Sequence, residues 1–170
     1  YQALKLMAEI ADVVGEPADA ATFAARSGVV RETINRVLLD PDRGIYLDGE
    51  GSDHSSLHAN MIPLAFGLVP APHLAAVVAF VKSRGMACSV YGSHYLLESL
   101  FAAGEPKAAF ALLTADHDRG WLNMLRAGST VTLEAWDWTY KNNLDWNHAW
   151  GAAPACAIPR WLVGVRPLTP

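Results

Sequence analysis

Apolar positions fall at helical spacing along most of the chain. In residues 2–14, Ala3, Leu4, Met7, Ile10, Ala11 and Val14 share one stripe, and Gly15 stops the run. Pro17 and Asp19 open a second predicted helix, which carries Phe23, Val30, Ile34 and Val37 to about Leu39 before Asp40-Pro41 ends it. A loop dense in Gly, Asp and Ser follows, DRGIYLDGEGSDHSS. A third helix is predicted from about Ser56 to Leu68, and a fourth from Pro72 to Arg84 with Gly85 as its stop. A fifth runs from about Ser93 to Ala103, and a sixth from Glu105-Pro106 to about Asp116. A shorter helical piece covers Trp121–Arg126. After a tryptophan-rich loop, the seventh helix is expected to start at Asn147. Only Thr130–Leu133 alternates with period 2.

The polarity of these helices alternates. Those starting near residues 56, 93 and 147 are apolar nearly all round, which suits helices buried on both sides. Those near 17, 72 and 105 carry charge on one face, which suits an outer layer. Inner and outer helices joined as αα-hairpins make an α/α toroid. With the first helix counted as inner, the expected fold is all-α, with about seven helices and no fixed-period sequence repeat.

Composition narrows the partners. Apolar residues are 52% of the 170 and charged residues 18%, so the chain has a large core or a surface that expects a partner. No apolar run is long enough to span a bilayer. A net charge of −4 argues against nucleic acid and against an anionic membrane. Cys88 and Cys156 fit no metal spacing and are expected as buried free thiols. Both ends read as cut from something longer, with no signal peptide at Tyr1.

The chemistry gathers in Thr130–Pro159. This stretch holds four of the six tryptophans (Trp136, Trp138, Trp146, Trp150), the carboxylate of Glu134, and Asn147-His148 at the head of an Ala/Gly/Pro-rich run. Indoles pack on the C–H face of a pyranose, and an acid and an imidazole bond its hydroxyls or activate water. A buried aromatic cluster beneath a loop satisfies the same composition. Glu134 then reads as a partner of Lys141, and His148 as a core histidine. The remaining candidates lie in loops before the other inner helices. His54, His58 and Asn60 form H-x3-H-x-N, read as cleft-lining or structural in preference to metal-binding. Tyr91 either lines the cleft floor or packs in the core. Trp121, Trp150 and Trp161 read as core, and Asp137 as a second acid beside Glu134 or a capping residue.

Several blocks, taken in order, resemble bacterial α-L-rhamnosidases of glycoside hydrolase family 78. They are Tyr46–Pro70, Ser83–Gly104, Arg119–Thr130, the T-x-T-x-E-x-W of Thr130–Trp136 and the N-H-x-W-G-A-A-P of Asn147–Pro154. The resemblance runs nearly end to end. It implies a six-hairpin (α/α)6 barrel, of which residues 1–170 would be the C-terminal part. It implies that Glu134 is the general base of an inverting glycosidase acting on terminal α-L-rhamnose, with no cofactor and no metal. His148 would touch the sugar, and Asn147, Tyr91, His54, Trp136, Trp138 and Trp146 would bind substrate.

Inversion needs a second carboxyl group about 6.5–9.5 Å from the first. The acidic segment that carries it in the family is not found here, so the chain alone is expected to be inactive. A half toroid would bare the flanks of its inner helices, so self-association or completion by the missing half barrel is expected. Two other readings stay open: an (α/α)6 glycosidase with a different sugar, and a non-catalytic α/α interaction domain. Glu134→Gln separates enzyme from non-enzyme.

Overall fold

Chain breakers divide the polypeptide into helical hairpins. The computed structural model describes residues 1–167. Helices α1 (Gln2–Val13) and α2 (Pro17–Leu38) are separated by Gly15, whose φ of 82° favours a residue without a side chain. Pro17 occupies the first turn of α2, where its missing N–H has no partner to lose. The polar stretch that reads as loop contains a two-residue hairpin, β1 (Leu39–Asp40) against β2 (Ile45–Tyr46), with Leu39 opposite Tyr46. The Asp40 carboxylate accepts the N–H groups of Asp42 and Arg43 and closes the turn.

Helix α3 (Leu57–Ala65) starts at Ser56, whose hydroxyl accepts the N–H of Ala59 at 3.1 Å. A 3-10 turn (Ala71–His73) leads into α4 (Leu74–Arg84), then α5 (Gly92–Ala102), α6 (Pro106–Leu113) and α7 (Trp121–Arg126). A second 3-10 turn (Ala149–Gly151) precedes α8 (Ala153–Ala157), which runs into a π-helical turn, Ile158–Val163.

Helix α5 is the hub. It packs between α3 and α8 with α6 outside it, while α4 covers α3 and α1 lies on α2. Leu96, Leu97 and Leu100 are all 0% exposed, and each contributes roughly 1.5–3 kcal/mol of burial. Ser93 and Ser99 are buried among them. Each returns its hydroxyl proton to a backbone carbonyl three residues earlier, so no donor is stranded. The all-α toroid layering expected from polarity is present, with α3, α5 and α8 as the inner row.

Four boundaries differ from expectation. Helix three stops at Ala65 and not at Leu68. Helix six stops at Leu113 and not near Asp116. The fourth helix begins at Leu74, because Ala71–His73 makes a tighter turn first. The seventh helix does not begin at Asn147: His148 is extended (φ −128°, ψ 103°) because its N–H is held by the Thr132 carbonyl at 2.8 Å. The alternating run Thr130–Leu133 forms no strand, but it is zipped against 145–148 by that bond and by Glu134 N–H to Asp145 O, 3.1 Å. Among the described residues, no helix is long and apolar enough to cross a membrane.

Candidate active site

The loop between α7 and the Ala149–Gly151 turn is fixed to the core by its tryptophans. Trp136 is 2% exposed and donates its indole N–H to the Cys88 carbonyl at 2.7 Å. Trp121 packs edge-on against it at 5.3 Å and donates to the Gly151 carbonyl at 2.9 Å. Gly151 has no room for a side chain, since a Cβ there would lie 2.6 Å from the Leu133 carbonyl oxygen. The strap of residues 132–134 is thereby clamped to the segment that carries His148.

Three candidate side chains meet where this strap crosses the start of α5. Tyr91, immediately before α5, places its hydroxyl 2.9 Å from Nε2 of His148 and 3.5 Å from Oε1 of Glu134. Glu134 accepts Lys141 Nζ at 2.5 Å on Oε1 and the N–H of Asp145 at 3.1 Å on Oε2. Nδ1 of His148 faces the Asp145 carboxylate at 3.6 Å. The Lys141 ammonium, then the Asp145 amide, hold the Glu134 carboxyl below its usual range, so it is charged at neutral pH. Burial, then the charge of Glu134, push the Tyr91 hydroxyl up, so it stays protonated and able to donate.

Glu134 lines a cavity of about 530 Å³ with Tyr91, His58, Arg119, Tyr140 and Lys141. A volume of this order admits a small ring and its waters. A second cavity of about 340 Å³ lies on the other side of Tyr91, walled by Tyr95, Trp150 and Cys156. A charged carboxylate with unused lone pairs, beside a protonated phenol and an imidazole, can take a proton from water and orient hydroxyls.

The residues singled out from sequence divide into three groups. Glu134, Tyr91 and His148 converge. Trp138 and Trp146 form an exposed pair, centroids 4.4 Å apart, but line neither cavity. Asn147 is exposed beside His148 and also lines neither. His54 is displaced: its Nδ1 bonds Asp48 at 2.6 Å on the solvent side of the hairpin loop, outside the Glu134 cavity. Trp136 touches the cavity wall, but its burial and its bond to Cys88 make it an anchor and leave no face for stacking.

Trp150, Trp121, Trp161 and Cys156 are less buried than expected, whereas Cys88, Asn60 and Asp137 agree with a reading given above. Trp150, read as core, is 75% exposed and stands edge-on to Tyr91 at 5.6 Å. Trp121 and Trp161 are half-buried; Trp161 stacks on Phe101 and donates to Glu98. Cys88 is a buried free thiol, its pKa pushed up by burial to about 12, whereas Cys156 is exposed. Asn60 is fully buried and its amide brackets the backbone of Tyr46. Asp137 caps a turn through Thr139 and Asn123. His58, read as cleft-lining or structural, does line the Glu134 cavity, while Lys141, Arg119 and Tyr140 are lining residues that sequence reasoning did not place. Only Lys141 carried a signal, as an ion-pair partner seven residues beyond Glu134.

Glu134, Asp145 and His148 each bring one ligand atom within 4.8 Å of the others, a spacing that suits a cation. The Lys141 ammonium already sits on Glu134, and its charge opposes a divalent ion there.

Stacked helical hairpins with a carboxylate, a phenol and an imidazole gathered at one end define an α/α-toroid architecture. The chain belongs to the family described as the bacterial alpha-L-rhamnosidase 6 hairpin glycosidase domain, whose model matches residues 1–162. Two solved structures share the fold. The alpha-L-rhamnosidase of Dictyoglumus thermophilum superposes with a TM-score of 0.83 at 19% identity, over 96% of this chain and 19% of that one. The alpha-L-rhamnosidase of Aspergillus terreus superposes with a TM-score of 0.79 at 18% identity, over 99% of this chain and 20% of that one. The chain thus spans about a fifth of the length of each. No curated protein matches the sequence.

Proposed function

We propose that this chain is the base-bearing part of a glycoside hydrolase that removes terminal α-L-rhamnose with inversion. Glu134 serves as the general base. Tyr91 and His148 bond sugar hydroxyls, and the exposed Trp138 and Trp146 face the rest of the glycoside from the rim. The observation that carries the reading is the charged Glu134 on the wall of the larger cavity, joined through the Tyr91 hydroxyl to His148.

The carboxylate next to Glu134 is unsuited to act as its catalytic partner. Asp145 has an oxygen within 4.8 Å of it, too close to leave room for water and sugar between two inverting carboxyl groups, which need about 6.5–9.5 Å. On this reading the general acid is supplied from outside this chain, and the isolated chain is expected not to turn over an aryl α-L-rhamnoside.

The deciding experiment is Glu134→Gln in the full-length protein, assayed on an aryl α-L-rhamnoside. Loss of a general base lowers kcat by about 10²–10⁴-fold. Activity within a few-fold of the parent, with the fold intact by circular dichroism, overturns the assignment.

A further inference from the structure

The cavity wall holds one ion pair at closest approach, Lys141 Nζ to Glu134 Oε1 at 2.5 Å, and the proposed function assigns Lys141 no role. The surroundings of Glu134 show what this contact offsets. From its own loop, Asp145 presents a second carboxylate within 4.8 Å, which repels charge on Glu134. From the start of α5, Tyr91 brings a neutral hydroxyl, and from the segment entering α8, His148 lies beyond that hydroxyl. Across the cavity stand Arg119, ahead of α7, and His58 on α3. Arg119 is committed elsewhere. Its Nε donates to the Tyr140 hydroxyl at 3.1 Å, and its guanidinium lies over that ring at 5.2 Å.

Lys141 is therefore the cation that meets Glu134 directly among the described residues. Coulomb energy falls as the inverse of distance, so a contact at 2.5 Å outweighs a repulsion acting from farther away. The pair is also placed to orient the base. Lys141 takes Oε1 while the Asp145 amide takes Oε2, which fixes the carboxylate plane and leaves lone pairs free toward the cavity.

We infer that Lys141 is a positioning residue for Glu134: its ammonium orients the carboxylate and keeps it charged, so that water activation continues into mildly acidic medium. The inference rests on the reading of Glu134 as the base. It deepens that reading by naming the group that governs it.

The test uses wild type, Lys141→Met and Lys141→Arg in the full-length protein. Two quantities are measured: the pH profile of kcat/KM on an aryl α-L-rhamnoside, and the titration of the Glu134 carboxyl carbon by ¹³C NMR. The carbon is assigned by its absence in Glu134→Gln. Lys141→Met is expected to move both the acidic limb and the carboxyl midpoint to higher pH and, because the carboxylate loses its orientation, to lower the plateau kcat/KM several-fold. Lys141→Arg is expected to restore both. A uniform loss of rate at every pH with an unmoved midpoint overturns the inference, as does a midpoint that stays put in Lys141→Met. If Glu134→Gln remains active, the base reading has failed, and the carboxyl titration still decides whether Lys141 governs Glu134.

Discussion

The Tyr91 hydroxyl lies 2.9 Å from Nε2 of His148, across 57 residues of sequence. The two rings meet edge-on at 5.4 Å, and Trp150 completes a triangle with them, edge-on to the tyrosine at 5.6 Å and to the histidine at 6.3 Å. The same hydroxyl reaches toward Glu134, so one phenol joins two groups of the proposed chemistry. Tyr91→Phe keeps the ring packing and removes only this link. The expected result is a roughly tenfold or greater loss in kcat/KM, with stability changed by no more than about 1 kcal/mol, the net worth of a typical hydrogen bond. Steady-state kinetics of the full-length protein and thermal unfolding check it.

Trp136 is an anchor, and its substitutions should read as stability and not as binding. Trp136→Ala is expected to cost about 3–5 kcal/mol. Trp136→Phe keeps most of the apolar area but strands the Cys88 carbonyl, at about 1–3 kcal/mol. Urea unfolding of both variants measures the difference. A Trp136→Phe variant with unchanged stability and weakened sugar binding would return the residue to a stacking role.

The Asp48 carboxylate ties the hairpin loop to the start of α3. It accepts His54 Nδ1 at 2.6 Å and the N–H of Ser56 at 2.7 Å, and these bonds, the imidazole first, lower its pKa from 3.8 to about 2. A carboxyl group whose pKa falls on folding stabilises the folded state above its unfolded value. That contribution is complete above pH 3.8 and disappears as pH drops through about 2. The pair is well exposed, so solvent screening reduces its worth to roughly 1 kcal/mol. Asp48→Asn should therefore lower the melting temperature at pH 6 and leave it unchanged near pH 2, as calorimetry at the two pH values would show.

Among the exposed apolar side chains, two groups lie close together in sequence. Helix α1 exposes Leu6, Met7, Ile10 and Val13, and the C-terminal turn exposes Leu162, Val163 and Val165. Apolar area returns about 25 cal/mol per Å² when covered. The 170-residue chain by itself is expected to self-associate in light scattering, and Ile10→Glu with Val163→Glu to reduce the association. A monodisperse monomer of the unmodified chain would contradict this.

Much of the architecture was legible because helical periodicity and chain breakers act locally. Gly15, Gly85 and Gly104 all end helices where expected, each with positive φ. The inner row announced itself in α5, whose residues are apolar on most faces. The entry to the last helix was not legible. Asn147 and His148 have no breaker before them, and what keeps His148 extended is a bond to Thr132 that only the folded chain brings into reach. The tryptophans divided for the same reason. Composition marks Trp136, Trp138, Trp146 and Trp150 alike, yet the Cys88 carbonyl claims the first and nothing buries the last. Among the site residues, Glu134 and His148 stood out by motif. Arg119 and Tyr140 reach the cavity from the loops either side of α7 and leave no trace in local spacing.

The absence of a Cβ at position 151 bears on how this cleft can diversify. With the turn pressed on the carbonyl of Leu133, residues 132–134 and 145–151 must be inherited as one matched pair, because a residue added to either would throw the other out of step. The bulge between them is fixed at Tyr140, Lys141 and Leu144, which meet Arg119, Glu134 and the core, but leaves Trp138, Asn142 and Asn143 exposed. Libraries aimed at an altered cleft should draw their diversity from those three positions and leave the two stems untouched.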